Sequence, residues 1–586
     1  MERVHPKSAC TVAAFLMLIM FSFTGTRAFA GVQVATGIAM DAPYTARTYG
    51  DTVTQFNQFG SFGSYNNGIR TTVRNRALNL LTSYNYRNFD GYRAHSGQYS
   101  HDFSLDIATA PSANTGLEFL GNYSSGRSLM PGSLTRTEFE QDPLQADPRS
   151  VSRNEFRATR KGQLEIKYKA GFGQTLNHKI EVSGYGQIEY FERSTKEFKI
   201  TTRYVLGLTA RYVYSGRFWN RSSEFSAGGN LYTQPERKEE YENFSGHRSD
   251  QLEQIEVEKT VSSGCWLSEN FELVRDKMFL VLTGKYDNVI YSVAEETLPS
   301  RSDKRRYDAF TPDVVLNYKI IPPVTLFTSL EMGFKNPVDR ELESPDPAYL
   351  YNQDLRAQTS ATLNLGITGM LAKKKSARTF RTFRYKATLS GSNIDNEIVR
   401  YEVYGDEYFR NASESHRFGF TLQTRLEIIS DLNFYAAYHY CHYIYKSYTA
   451  NSIETDTTGN IGLLFRDFSG NAEPNIPRNN LALSLSYKHP IGKNADVFAR
   501  VDYLNLSGRW VDDANSEQTS SYDLVNSELE FDMKFGHFLC SVSAGVNNIL
   551  DRIYVGNANI NSADRRFYDA GRPRDFFGSV GFNYLF

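Results

Sequence analysis

The chain has 586 residues and an almost exact charge balance, 65 Lys and Arg against 66 Asp and Glu. That balance excludes the basic stripe a nucleic-acid binder needs. After residue 30 no apolar run approaches 18 residues, which excludes a helical membrane protein. Tyr (38) and Phe (40) are abundant while Trp (3) is not, a bias that suits strands whose two faces meet different media.

In chain order, residues 1–30 read as a secretory signal. Arg3 and Lys7 supply the positive start, Val12–Phe23 is the apolar core, and Ala28-Phe29-Ala30 matches a small-x-small cleavage site. Twelve apolar residues are too few to anchor the chain by spanning. Beyond Cys10 only Cys265, Cys441 and Cys540 remain, far apart and odd in number, so no disulfide framework or paired-cysteine metal site is expected. A short segment, 31–51, precedes the first expected strand near Thr52.

From Thr52 onward, segments with a period of two follow one another. Leu363, Leu365 and Ile367 alternate with Asn364 and Gly366. Phe418, Phe420 and Leu422 alternate with Gly419, Thr421 and Gln423, and Leu481, Leu483 and Leu485 with Ala482 and Ser484. The last twelve residues put Phe576, Gly578, Val580, Phe582, Tyr584 and Phe586 on one face and smaller, more polar residues on the other. Each pattern is a strand between an oily side and a wetter side. Set in lipid, the polar faces would place Arg425, Glu427, Arg500 and Asp502 in a lumen. The signal, the array and the aromatic close predict an all-β fold: a transmembrane antiparallel β-barrel of 22 strands over 52–586, with short periplasmic turns and long extracellular loops. Expected turns lie at Phe172–Asn177 and His489–Asn494. Expected loops lie at Gln234–Gln251, Glu296–Tyr307, Asp339–Arg356, Thr449–Pro477 and Gly556–Pro573. The final strand should close the barrel against Thr52–Gly60, with Phe582, Tyr584 and Phe586 as its closing and assembly signal.

No catalytic grouping, cofactor motif or metal site stands out, and the chain does not read as an enzyme. The densest run of possible ligands is Tyr438 to Tyr443, but His439 and His442 point to opposite faces of a strand, and ligands must converge. The sequences GFGQ (171–174) and GYGQ (184–187) lack the helix of a phosphate-binding motif. Lys373, Lys374 and Lys375 with Arg378, Arg381 and Arg384 form a basic connection. A solvated turn is the simpler account, and contact with lipid-A phosphates the sharper one.

Several stretches, in order, resemble the barrel of TonB-dependent outer-membrane receptors: GSFGSYNNG (60–68), SYNYRNFDGYRAHSG (83–97), GRSLMPGSLTRTEFEQDPLQADP (126–148), the NQDLRAQTS segment leading into a strand (352–360), NIPRNNLALSLSY (475–487), VNNILDRIYV (546–555) and the close GRPRDFFGSVGFNYLF (571–586). The resemblance implies an outer-membrane receptor of a Gram-negative bacterium for a metal chelate such as a ferric siderophore. Its implied partners are outer-membrane lipid and lipopolysaccharide, barrel-assembly machinery and a TonB-type energy-coupling system. Strand parity puts Tyr92, Arg93, Arg127 and Arg136 at the outer mouth, where Arg and Tyr could meet a bulky anionic chelate. The family also carries a plug of roughly 150 residues inside the barrel. The 21 residues of 31–51 are too few to form one, so a plug missing or supplied by a separate chain is expected. The alternatives are a passive wide channel, a porin-like barrel of 16 or 18 strands, and an adhesion or structural barrel.

Overall fold

The computed structural model describes residues 51–74, 78–297, 301–372, 381–403, 406–455 and 461–586. The signal and nearly all of 31–51 lie outside the described residues, as do Lys373, Lys374, Lys375 and Arg378. The wall is one sheet of 22 antiparallel strands, and two further two-stranded ribbons, Thr449–Thr455 with Ile461–Asp467 and Val555–Ala558 with Tyr568–Ala570, lie within its long connections. The wall's first strand, Thr52–Gly60, pairs with the second, Ser64–Arg74, and also with the last, Asp575–Leu585, in a register running from Thr52 opposite Leu585 to Gly60 opposite Phe577. The sheet is therefore closed and has no free edge, which is the condition for a sheet to cross a membrane.

The alternation read from the sequence is the inside–outside alternation of this wall. On the closing strand Phe576 and Phe582 are exposed, while Asp575 and Asn583 on the other face are buried. Leu164, Leu206, Leu267 and Phe310 stand outward and exposed on their strands. The opposite face carries charges that pair along the lumen, such as Arg500 with Asp502 (2.9 Å) and Lys285 with Asp313 (3.6 Å). Large apolar side chains facing away from the protein along every strand have only lipid to meet.

The longest connections all lie on one rim. Turns such as Gly173–Asn177 and Gly492–Asn494 lie on the opposite rim, as expected. Residues 130–155, 336–357, 448–478, 507–521 and 548–574 join strands at the long-loop rim. Ala372 and Arg381, which flank the basic connection, lie at the short-turn rim.

One expected loop is strand over nearly all its length, and another is strand from Ser302 onward. Gln234–Gln251 belongs to a hairpin of Arg221–Phe244 and His247–Val274, with only Ser245 and Gly246 between them. Ser302–Ile321 begins where Glu296–Tyr307 was expected to loop. A tilted strand crosses the bilayer in about 9–11 residues, so strands of 24 and 28 residues continue well past it. There both faces are wet and the apolar alternation disappears, although the backbone ladder does not.

Candidate functional site

The long-loop rim is built into three packed bodies. In the first, loops 130–155, 507–521 and 548–574 share a core of Leu134, Val511, Val555, Phe567 and Tyr568. The Pro-Gly-x-Leu-Thr element forms it for local reasons. Gly132 adopts φ +69, and a Cβ there would meet Ser150 Oγ at 2.5 Å. Leu134 is fully buried and exchanges backbone hydrogen bonds with Tyr568. Thr135 caps the helix Arg136–Gln141 in a capping box with Glu138. Asp147 caps the next, Pro148–Ser152, whose proline sits in the first turn. At 546–551 Asn548, buried at φ 49, donates to the carbonyls of Arg552 and Arg572 and accepts from the Arg552 amide, which closes the turn.

The four residues expected to meet ligand have distinct positions. Arg93 is buried. It donates to the carbonyls of Gly132 (2.7 Å) and Gln145 (3.0 Å) and lies 3.6 Å from Asp569. The Tyr92 hydroxyl donates to the Ala570 carbonyl at 2.9 Å. Both tie the 90–97 connection to its neighbours. Arg136 is half-exposed, donating to Glu517 (2.7 Å) and Tyr568 Oη (3.1 Å). Arg127 shares a strand face with exposed Phe119 and Tyr123, so it stands on the outside of the wall, away from the lumen, with its guanidinium 3.7 Å from the centre of the Phe156 ring.

The second body is loop 336–357, folded against the wall. Leu342, Tyr351 and Leu355 pack on Val289, Tyr291, Val293, Tyr307 and Phe409. Tyr291 Oη donates to the Pro337 carbonyl (2.7 Å), and Arg305 and Tyr307 donate to that of Leu355 (2.8 and 3.0 Å). At its start Asp339 meets Glu236 and Glu258, their oxygens within 4.8 Å of one another. Lys238 already pairs with Glu258 (2.6 Å) and Arg203 with Glu236 (2.5 Å), while Thr260 and Gln234 donate to Asp339. Two cations among three carboxylates make this a latch for the loop rather than an open cation site. Burial raises the Asp339 carboxyl above its ordinary range.

The third body centres on Tyr445, Tyr448 and Phe468. Asp513 accepts from the hydroxyls of Tyr445 (2.9 Å) and Tyr448 (3.1 Å), and burial pushes its carboxyl up to about 6. Glu473, buried and sharing Arg417 with Glu397, is pushed up to about 7. Nothing in the sequence pattern marked Asp339, Asp513 or Glu473, because each acquires its partners from strands or loops distant in the sequence. His439 and His442 do face opposite sides of their strand, opposite Thr421 and Phe418.

A closed 22-stranded membrane barrel with ordered loops over one mouth defines a large outer-membrane barrel of the receptor type. Residues 26–549 match the family model described as TonB dependent receptor-like, beta-barrel, and the chain belongs to that family. It is an outer-membrane protein. Among solved structures it is similar to the ferric citrate transporter FecA in its unliganded form, with 15% identity over 92% of this chain and 78% of that one and a TM-score of 0.72. It is also similar to the siderophore receptor PiuA from Acinetobacter baumannii (14%, 91% and 82%, TM-score 0.72) and to the copper transporter OprC (14%, 92% and 80%, TM-score 0.68). At these identities the likeness is one of fold.

Proposed function

We propose that the chain is the barrel of an outer-membrane uptake receptor for a metal chelate of the ferric-siderophore class. The observation that carries this is the organised mouth. Three loop bodies have their own apolar cores, and the first carries half-exposed Arg136, whereas a passive channel needs only an open rim. Family membership and likeness to a ferric citrate transporter, a siderophore receptor and a copper transporter support the same reading. Arg136, half-exposed beside Tyr568, is proposed as a contact for an anionic chelate, its guanidinium offering charge and paired donors. Tyr92 and Arg93 are proposed to act indirectly, by holding the loops that carry it. A TonB-type energy-coupling system and a body closing the lumen, supplied by a separate chain, complete the proposal.

Growth of a deletion strain on single iron chelates under iron limitation tests it. Growth is expected to fail on one chelate and to return with the wild-type gene. Unchanged growth on every chelate refutes uptake and favours the adhesion reading. Uptake that persists after the inner-membrane proton gradient is collapsed favours the passive channel.

A further inference from the structure

We infer that Arg157, Arg193 and Arg340 form an anion-binding site on the inner wall of the mouth, which selects solutes that carry oxyanion groups and a net negative charge. Arg157 and Arg193 lie at the outer ends of strands Phe156–Phe172 and His178–Ser194 and stand directly opposite one another in the register. Each is an odd number of residues from an exposed, outward side chain of its own strand, Leu164 and Ile188 respectively. Both therefore point into the lumen. Side chains directly opposite across a strand pair have Cβ atoms about 5 Å apart, and like charges there destabilise the pairing. Arg340 enters from loop 336–357 and brings a third positive charge to the same place. Desolvation within the walled mouth, and then the charges of Arg193 and Arg340, lower the Arg157 guanidinium below its ordinary range, and no carboxylate offsets them.

Among the described residues none of the three arginines has a carboxylate partner. The next residue in the same row, Lys199, lies opposite Arg193 and is matched by Glu197 (3.1 Å) and Glu240 (2.5 Å). Arg203, one turn of the pleat further down that strand, is matched by Glu236 (2.5 Å). The repulsion between Arg157 and Arg193 is thus not relieved within the wall, and a ligand that relieves it gains by doing so. All three side chains are open to one, being exposed within the mouth. Phe191 lies under the Arg157 guanidinium (5.6 Å to the ring centre) and Phe409 under that of Arg340 (5.9 Å). The rings hold the two groups by their faces and leave the N–H edges for oxygens. Guanidinium edges take oxyanions through paired, charge-assisted hydrogen bonds. Three of them with no acid among them repel a cationic solute and attract a neutral one only weakly. Arg136 differs, since its guanidinium is already bound to Glu517. That the solute is a metal chelate rests on the uptake reading above; the site itself does not.

The test uses the purified full chain in detergent and equilibrium dialysis of three radiolabelled probes: anionic iron(III) dicitrate, a neutral iron(III) trihydroxamate, and citrate without iron. The wild type is expected to bind dicitrate at least ~10-fold more tightly than the trihydroxamate, by a margin that shrinks as salt is raised. A variant with Arg157→Gln, Arg193→Gln and Arg340→Gln is expected to lose at least ~10-fold in affinity for both citrate probes and none for the trihydroxamate. A control with Arg160→Gln, Lys259→Gln and Lys304→Gln removes the same charge from the outer face, where these residues share parity with exposed Leu164, Leu267 and Phe310, and is expected to bind as the wild type does. A folded triple variant, judged by heat-modifiable electrophoretic migration, that keeps its affinity for the citrate probes overturns the inference. So does a control that loses as much as the variant, or a wild type that binds no probe. A trihydroxamate bound as tightly as dicitrate also overturns it but leaves chelate uptake standing, whereas arginine-dependent binding of citrate in a strain-tested protein that supports growth on no chelate upholds the site and removes the uptake reading. Should the triple variant fail to fold, Arg193→Gln alone, expected to lose at least ~3-fold, replaces it.

Discussion

Replacing Asp513 by Asn should abolish the pH dependence of loop 507–521 where it packs into the third loop body. Asp513 joins loops 448–478, 507–521 and 548–574: its carboxyl accepts from Tyr445 and Tyr448, its carbonyl from Asn471 Nδ2 (2.8 Å), and its amide donates to Asn561 Oδ1 (2.9 Å). Arg410 donates to Tyr448 Oη at 2.7 Å, and its charge partly opposes the rise that burial imposes on the carboxyl. Burial raises the carboxyl from 3.8 to about 6, so the packed loops favour its protonated form. A raised carboxyl stabilises the packed state fully below its unfolded value of 3.8, and that stabilisation is lost as pH rises through about 6. The full loss is about 3 kcal/mol, or roughly a 100-fold fall in protection against local opening. Hydrogen exchange at Val511 and at position 513, corrected for intrinsic rate, reads this directly. Wild-type protection should fall between about pH 4 and 6, and the Asn variant should stay flat there. Glu473, pushed up from 4.5 to about 7 by burial beside Glu397, loses its contribution as pH rises through about 7, so a fall of comparable size near 468–473 persists in the variant. Constant wild-type protection across that window, or an identical fall in the variant, refutes the account.

Leu342→Ala removes a fully buried side chain from the core beneath loop 336–357 and should weaken docking of that loop by about 2–5 kcal/mol. The strand ladder is independent of this core. Limited proteolysis near Asp346–Tyr349 should therefore accelerate while heat-modifiable migration is unchanged, and an unaltered cleavage rate counts against the docking. Deleting Phe586, which is exposed at the end of the closing strand and leaves the pairing from Thr52–Leu585 to Gly60–Phe577 intact, should lower outer-membrane abundance without changing the stability of the protein that does assemble. Normal abundance refutes its role as an assembly signal.

What was legible in the sequence follows the solvent boundary. The closing pair was readable because Phe576, Phe582 and Tyr584 face lipid while Asp575 and Asn583 face inward, and a one-residue slip would reverse every one of them. The 221–274 hairpin was not, because beyond the bilayer water lies on both faces. There Glu236, Lys238 and Glu258 occupy positions that nearer the lipid belt would distinguish inside from outside. Periodic hydrophobicity in such a chain therefore reports the membrane crossing of a strand rather than the strand, and it underestimates strand length wherever the wall leaves lipid. The same rule separates the four mouth residues. Arg127 could have been placed outside from the sequence alone, since Tyr123, Ser125 and Arg127 fall on one face. Arg93 could not, because the Asp569 that helps bury it is hundreds of residues distant. The buried acids are harder still. Asp339 and Asp513 look like ordinary loop aspartates, and only the packing of their loops on distant strands and loops gives them desolvated surroundings and phenolic or carboxylic neighbours. The transmembrane wall is thus specified by local alternation, whereas the mouth is specified by pairings between distant segments, which a linear reading does not contain.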